Sequence, residues 1–181
     1  MKIFLTVMVV IAAGFGSAKL IRFARSVDFT EGYAPAQPVK FSHKVHAGEN
    51  QIACVYCHYS AEQGRHAGIP PVELCMNCHT HVKKDSPEVQ KVADALANNE
   101  SIKWQKVHHL PDFAYFNHSQ HVNVGKVSCQ QCHGDVQSMD VMKQTGNLSM
   151  GWCISCHRDS QIAPPDDHKS RAGGDCAKCH Y

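Results

Sequence analysis

The cysteines of this chain occur only in pairs, and each pair is followed directly by a histidine. The pattern Cys-x-x-Cys-His occurs five times and uses all ten cysteines: Cys54, Cys57 and His58; Cys75, Cys78 and His79; Cys129, Cys132 and His133; Cys153, Cys156 and His157; Cys176, Cys179 and His180. We number these motifs sites 1 to 5. Two thiols at this spacing can bond to the two vinyl groups of one porphyrin, and the adjacent imidazole can bind its iron. The pattern predicts five covalently bound haem c groups.

Zinc sites and disulfides are the other common uses of paired cysteines. A structural zinc site gathers four ligands from two such pairs and has no need of a histidine after every second cysteine. Disulfides do not need the histidine at all. Five complete motifs with no cysteine left over therefore favour haem.

Side chains alone offer this chain little material for a core. Hydrophobic residues make up 43% of the sequence, a figure that includes the ten cysteines, and aromatic residues make up 8%. We therefore expect the porphyrins to form the core, with thioether and iron bonds holding the chain around them. The predicted fold class is mainly α with much irregular loop, a multihaem cytochrome c fold organised around stacked haems.

The N-terminus adds an apolar segment, which predicts one transmembrane helix. Residues 3–18 carry no charge, and the apolar stretch continues for two residues beyond Lys19. A signal peptide cleaved after Ala18 and an uncleaved signal anchor both fit this pattern. We expect the anchor, because Lys19 can extend to the head groups and the segment then approaches the roughly 20 residues of a spanning helix.

This anchor predicts a single-pass protein of the cytoplasmic (inner) membrane with its haem domain on the periplasmic side, since haem is attached outside the cytoplasm. One feature conflicts with that topology. Lys19, Arg22 and Arg25 follow the apolar segment, whereas the positive-inside rule would place such charges in the cytoplasm. The sequence leaves this conflict open.

The rest of the chain contains an internal repeat. Phe41, His43 and His46 precede site 1, and Phe116, His118 and His121 precede site 3, with an offset of 75 residues that also holds for the whole Cys-x-x-Cys-His motif. We therefore divide the chain into an anchor (1–25), a linker (26–40), a dihaem module (41–85), a connecting helix and linker (86–115) and a trihaem module (116–181). Ser86, Pro87 and an acidic first turn predict where the connecting helix begins, and Asn98-Asn99 predicts where it ends.

The repeated histidines predict the second axial ligands. Two imidazoles three residues apart lie on one side of a helical turn and can reach two neighbouring irons. We therefore predict that His43, His46, His118 and His121 are distal ligands of four haems.

One haem then lacks a distal ligand, and both methionines and histidines are candidates. Met139, Met142 and Met150 lie between sites 3 and 4, the first two on a helix predicted to begin near Asp135. We select Met139 as the ligand of the haem at Cys153, with core packing as its alternative role. The main competitor is His108, and the remaining candidates are His66, His81, His109 and His168.

Several segments resemble one known family. The run from Trp104 to Phe116 leads into Phe-x-His-x-x-His, and Leu148 to Trp152 directly precedes Cys153. With the anchor and the five motifs, these segments resemble the pentahaem cytochrome c subunit of alternative complex III, and the His-x-x-His units resemble those of class III multihaem cytochromes. The resemblance covers nearly the whole chain. It implies a periplasm-facing cytochrome in a quinol-oxidising complex, with an iron–sulfur subunit, integral quinone-site subunits and a monohaem cytochrome c as partners.

Irons with both axial positions filled cannot bind a substrate, so we expect electron transfer and no catalysis. The chain also lacks a basic run that would indicate nucleic acid. We predict a membrane-anchored pentahaem cytochrome that carries electrons from a quinol-oxidising complex to a periplasmic acceptor, in a respiratory or photosynthetic chain. The alternatives are a tetrahaem-like membrane quinol dehydrogenase, a cytochrome subunit of another molybdopterin-type oxidoreductase, and a haem enzyme with one five-coordinate iron.

Overall fold

The computed structural model describes residues 30–158 and 175–181, together with six helical residues near the N-terminus: Met8, Gly14, Gly16, Ser17, Lys19 and Leu20. The chain divides into two compact units, residues 1–30 and 31–181. Among the described residues, no helix has both the length and the apolar character needed to cross a membrane. Most of the predicted anchor, residues 1–25, lies outside the described residues and stays a prediction.

The second unit consists of short helices and loops, and its described residues contain no strand. Its α-helices are α1 (Cys54–Cys57), α2 (Val72–His79), α3 (Pro87–Ala97), α4 (Cys129–His133) and α5 (Met150–Arg158). Two π-helices span Lys44–Glu49 and Gln120–Val124, and 3₁₀ turns span Tyr59–Glu62, Val136–Ser138 and Cys176–Lys178. The expectation of a mainly helical fold with much loop is confirmed.

Helix α3 is the connecting helix that the sequence predicts. Ser86 occupies the N-cap position with an extended backbone, Pro87 starts the first turn, and Asn98 follows the last residue. Proline is tolerated at that first position because its missing N–H would have no partner inside the helix. Val92 and Ala95 form the buried face, and the helix packs against α2.

The predicted helix near Asp135, with Met139 and Met142 on it, is wrong. A 3₁₀ turn ends at Ser138, and the Met139 backbone is extended (φ −92°, ψ 117°). The Ser138 hydroxyl donates to the Asp135 carbonyl at 2.8 Å, a local bond that competes with helical pairing. The Met139 carbonyl instead accepts from the Lys44 N–H at 2.9 Å. A contact with a remote segment takes the place of the helix.

Few side chains are buried in this unit. Among the described residues, the buried hydrophobic ones are Val39, Ala61, Val92, Ala95 and Met139. Gln144 is fully buried; its Oε1 accepts from the His109 N–H at 3.1 Å and its Nε2 donates to the Gly146 carbonyl at 2.9 Å. A core with so few apolar side chains agrees with a chain folded around large cofactors.

Gln144 gives the first prediction. Gln144→Leu removes the partners of the His109 N–H and the Gly146 carbonyl, and each unpaired group costs about 1–3 kcal/mol. We expect the free energy of unfolding of the haem-loaded protein to fall by about 2–4 kcal/mol, measured by denaturant titration with circular dichroism. Gln63→Leu, at an exposed position, is the control and should change it by less than about 0.5 kcal/mol. Equal effects of the two substitutions would contradict the role given to Gln144.

Candidate haem sites

Helical turns present the cysteine pairs. Sites 1 to 4 lie on α1, α2, α4 and α5, and site 5 lies at the 3₁₀ turn Cys176–Lys178. Residues three apart lie on the same side of a helical turn, so the two cysteines of a motif face one direction. No disulfide joins any of the ten cysteines, and each is exposed or partly exposed. The thiols therefore remain available for thioether bonds.

Backbone carbonyls orient the motif histidines. The Nδ1–H groups of three of them donate to carbonyl oxygens at 2.7–2.9 Å: His58 to Gly68, His79 to Val82 and His180 to Phe113. A carbonyl oxygen can only accept, so Nδ1 carries a proton, and in the neutral ring Nε2 is then the nitrogen with the lone pair. Histidines that bind metals are commonly fixed in this way.

The repeated histidines outside the motifs are held by the same kind of bond. Nδ1–H donates to a carbonyl oxygen at 2.8–2.9 Å in three of them: His46 to Ser42, His118 to Arg65 and His121 to Asn117. His109 differs, because its Nε2 donates to the Lys106 carbonyl at 3.0 Å. The bond pattern thus separates three of the four predicted distal ligands from His109.

The structure places predicted distal and proximal histidines opposite one another. Ring centroids are 6.0 Å apart for His46 and His79, 6.4 Å for His118 and His133, and 5.9 Å for His121 and His157. Metal–imidazole bonds are about 2.0–2.1 Å long and a ring centroid lies roughly 1.1 Å beyond its nitrogen, so two imidazoles on one metal have centroids about 6.3 Å apart. Each of these three pairs is spaced like the two axial ligands of a single iron.

His43 completes the predicted set of four. Burial first, and then the nearby His58 and His46, lower its pKa to about 4. Burial likewise lowers the pKa of His133 to about 4, with His108 as the next cause. Neutral imidazoles keep the lone pair that a metal needs. The Nδ1 atom of His43 is buried and has no hydrogen-bond partner among the described residues, in contrast to its repeat counterpart His118.

A phenylalanine holds each His-x-x-His pair. Phe41 stacks on His46 with centroids 4.3 Å apart and meets the edge of His43 at 4.9 Å. Phe116 makes the same two contacts, at 4.4 Å with His121 and at 4.9 Å with His118. The phenylalanine belongs to the sequence repeat, but its role in orienting both rings is visible only in the structure.

His108 lies behind a motif histidine. Its Nε2 is 3.1 Å from Nδ1 of His133, with ring centroids 4.4 Å apart. If Nε2 of His133 binds iron, its Nδ1 carries the proton and donates to His108. That bond occupies Nε2 of His108, so the geometry favours a supporting role over the predicted competition for a fifth iron. A histidine outside the repeat carries no sequence signal for such a role.

The fifth distal ligand is the least defined part of the site. Met139 is 8% exposed, but the imidazole that faces His157 is His121. The assignment of Met139 to the iron of the Cys153 haem stays a prediction, and the geometry favours His121 for that position. No histidine ring lies opposite His180 in the part of the chain that the structure describes, and His168 lies outside that part.

The donor set fits haem c. Free thiols stand in pairs, neutral imidazoles present Nε2, and three of these imidazoles face a second imidazole at the spacing of two ligands on one metal. These features define a class of protein: a c-type cytochrome whose paired irons have imidazole on both sides.

Two comparisons agree with that class. Residues 114–181 match the family described as cytochrome c7 and related cytochrome c. Over 141 residues the chain is 33% identical to the menaquinone reductase multihaem cytochrome c subunit of Nitratidesulfovibrio vulgaris, and the match covers 67% of each chain. The chain belongs to the multihaem cytochromes c.

The facing pair at site 4 gives the second prediction. His121→Ala should open one iron to carbon monoxide, because it removes the ring opposite His157. Met139→Ala should open no further iron and instead lower the free energy of unfolding by about 2–5 kcal/mol through lost packing. Difference absorption spectra of the ferrous protein measure carbon monoxide binding. Binding in Met139→Ala with none in His121→Ala would make Met139 the ligand.

His108 gives the third prediction. A hydrogen bond from Nδ1 makes the ligand histidine more basic, which stabilises the ferric state, so His108→Phe should raise the midpoint potential of one haem. His108→Gln should restore it in part, because the amide oxygen can accept the same bond. His109→Phe is the adjacent control, and redox titration is the measurement. Unchanged potentials in His108→Phe would show that the bond does not tune the haem.

Proposed function

We propose that this chain is a membrane-anchored pentahaem c-type cytochrome, the electron-transfer subunit of a membrane quinol-oxidising complex, and that it has no catalytic site of its own. The observation that carries the proposal is the set of facing imidazole pairs. An iron with imidazole on both sides has no open position for a substrate, so it can only exchange electrons.

The residues of the chain set the position of the haems and the charge state of their histidine ligands. The cysteine pairs tether each haem, and the bound haem contributes one-electron exchange between ferric and ferrous iron. The Nδ1 hydrogen bonds aim Nε2, and burial keeps His43 and His133 neutral. Oxidation of one quinol releases two electrons and two protons. The chain accepts those electrons singly, and the protons leave at the quinone-site subunits.

The proposed partners are an iron–sulfur subunit, integral quinone-site subunits and a monohaem cytochrome c. The resemblance to the pentahaem subunit of alternative complex III supports this set, and so does the relative that is named a subunit of a menaquinone reductase. We place the chain in the cytoplasmic membrane through residues 1–25, with residues 41–181 in the periplasm. No role in nucleic-acid binding is proposed.

A second direction of flow has specific support. The name of the Nitratidesulfovibrio relative describes reduction of menaquinone, in which electrons would enter from a periplasmic donor and end on the quinone. We favour flow from quinol to a periplasmic acceptor, on the resemblance to alternative complex III. A quinol dehydrogenase of the tetrahaem kind would differ from both, because it would oxidise quinol without other subunits.

Stopped-flow absorption with the purified complex tests this function. We expect a menaquinol analogue to reduce the haems of the complex and to leave the isolated chain oxidised. Oxidation of the reduced complex by a menaquinone analogue, without reduction by the quinol, would select the reverse direction. Reduction of the isolated chain by quinol would select the quinol dehydrogenase, and complexes that exchange no electrons with either analogue would overturn the function.

Haem stoichiometry is the fourth prediction. Intact mass and pyridine haemochrome analysis should give five haems per chain, since each of the five motifs has both thiols. Replacing Cys54 and Cys57 with Ser should remove the mass of one haem. Thiols that still titrate in the unmodified protein would contradict the assignment of at least one site.

Membrane attachment is the fifth prediction. The chain should stay in membranes after a high-salt wash, because salt screens electrostatic binding but does not extract a spanning helix. Replacing residues 1–25 with a cleavable signal should give a soluble haem protein. A natural N-terminus at Lys19 would instead show that the segment is a cleaved signal.

A further inference from the structure

The 75-residue repeat of the sequence is also a repeat of the backbone. Each His-x-x-His turn runs into a π-helix, Lys44–Glu49 in one module and Gln120–Val124 in the other. The second residue after each π-helical segment has a left-handed backbone, Gln51 (φ 54°) and Lys126 (φ 53°), at the same repeat position. The following N–H groups close equivalent bonds, from Ile52 to the His46 carbonyl at 3.0 Å and from Val127 to the His121 carbonyl at 2.9 Å.

The two modules bind one another reciprocally. The Lys44 N–H donates to the Met139 carbonyl at 2.9 Å, and the Ser119 N–H donates to the Gly64 carbonyl at 3.0 Å. Lys44 and Ser119 are repeat counterparts, and so are Gly64 and Met139. Each module therefore places its His-x-x-His turn on the segment that follows the first attachment motif of the other module. A reciprocal contact of this kind is the signature of a two-fold axis.

A second pair of contacts follows the same rule. A Cβ added at Gly48 would lie within collision distance of the Gln137 carbonyl oxygen, so glycine permits this close approach. Asn123, the counterpart of Gly48, donates through Nδ2 to the Glu62 carbonyl at 3.3 Å. Glu62 is in turn the counterpart of Gln137. The two interfaces thus match residue by residue while using different side chains.

The axis brings sites 1 and 3 together. His118, which faces His133 of site 3, donates from both its backbone N–H and its Nδ1–H to the Arg65 carbonyl, in the loop that follows site 1. Site 1 therefore adjoins site 3 across the module boundary.

The other sites extend outward from this junction. Asn77 of site 2 donates to the Tyr56 hydroxyl of site 1 at 3.5 Å. A Cβ at Gly146 would lie 3.1 Å from Trp152, which precedes site 4, and 3.5 Å from the Cys132 carbonyl of site 3.

Site 5 lies beyond site 4. Phe116 stacks on His121, whose ring faces His157 of site 4, and site 5 contacts the residue just before Phe116. The site 5 backbone is tied to the segment before the second module, since the Tyr115 N–H donates to the Cys179 carbonyl at 2.8 Å.

We propose that a pseudo-two-fold axis passes between sites 1 and 3, so that the five sites lie in the spatial order 2, 1, 3, 4, 5 and not in chain order. The spatial order of the sites does not depend on the proposed electron-transfer function. Only the route of the electrons, given next, rests on that function. Site 2 and site 5 are the two ends of the row, where electrons enter and leave, and every electron that crosses the protein passes the contact between sites 1 and 3.

Removal of single haems tests the order. A ferric haem carries one more positive charge than a ferrous haem, so each haem shifts the potentials of its neighbours, and the effect weakens with distance. Loss of haem 1, in Cys54→Ser with Cys57→Ser, should move the potentials of two remaining haems. Loss of haem 2, in Cys75→Ser with Cys78→Ser, should move one. Paramagnetic NMR during redox titration follows each haem separately.

The two variants are matched controls for each other, because chain order predicts the opposite counts. In chain order haem 1 is terminal, with one neighbour, and haem 2 is internal, with two. Finding one shifted haem without haem 1 and two without haem 2 would overturn the proposal. Counting the haems whose potentials shift does not require the partner complex. A row in the proposed order that exchanges no electrons with quinol or quinone would overturn the function and leave the order standing.

Cross-linking of the intact haem-loaded protein covers the case in which these variants do not fold. Lys44 Nζ lies 3.9 Å from Asp140 Oδ2, across the module boundary. A zero-length carbodiimide reagent should join these two residues, and peptide mass spectrometry should find the product. Lys44→Arg is the control and should lose it. If Lys44 is cross-linked to another residue, or to none, the reciprocal contact between the two modules is overturned.

Discussion

Hydrogen bonds from imidazole Nδ1 to backbone carbonyls set the orientation of the histidine rings on which the haem sites depend. Six of the histidines described above donate in this way, and each bond leaves Nε2 as the free nitrogen. The acceptors are main-chain oxygens, so ring orientation depends directly on the path of the loops. Short helices supply the cysteines, but the loops between them aim the ligands.

Little apolar surface is buried between the side chains of the described residues. The described residues of the second unit bury four small aliphatic side chains, Met139 and one glutamine, which is far less than a haem-free domain of this length needs. Thioether bonds, iron bonds and porphyrin surface supply the remaining stability, and binding of the cofactor becomes part of folding.

Duplication accounts for the arrangement of the modules. Each copy forms a His-x-x-His turn in which one phenylalanine contacts both rings. Each turn packs against the segment that follows the first attachment motif of the other copy. The two contacts use different side chains. Gly48 allows contact by having no side chain, whereas Asn123 adds a hydrogen bond at the equivalent place. The copies also differ at one histidine. Nδ1 of His43 has no hydrogen-bond partner among the described residues, whereas Nδ1 of His118 is bonded to the Arg65 carbonyl.

The sequence by itself determined the attachment chemistry and the helical class, because both depend on residues close in the chain. Cys-x-x-Cys-His fits one porphyrin through local spacing, and the start and end of α3 follow from Ser86, Pro87 and Asn98. The tertiary structure alone decided which ring faces which, why Met139 is not on a helix, why His108 supports His133, and which sites adjoin. These features depend on contacts between segments that are remote in sequence, such as Lys44 with Met139 and His118 with Arg65, and no local pattern encodes such pairs.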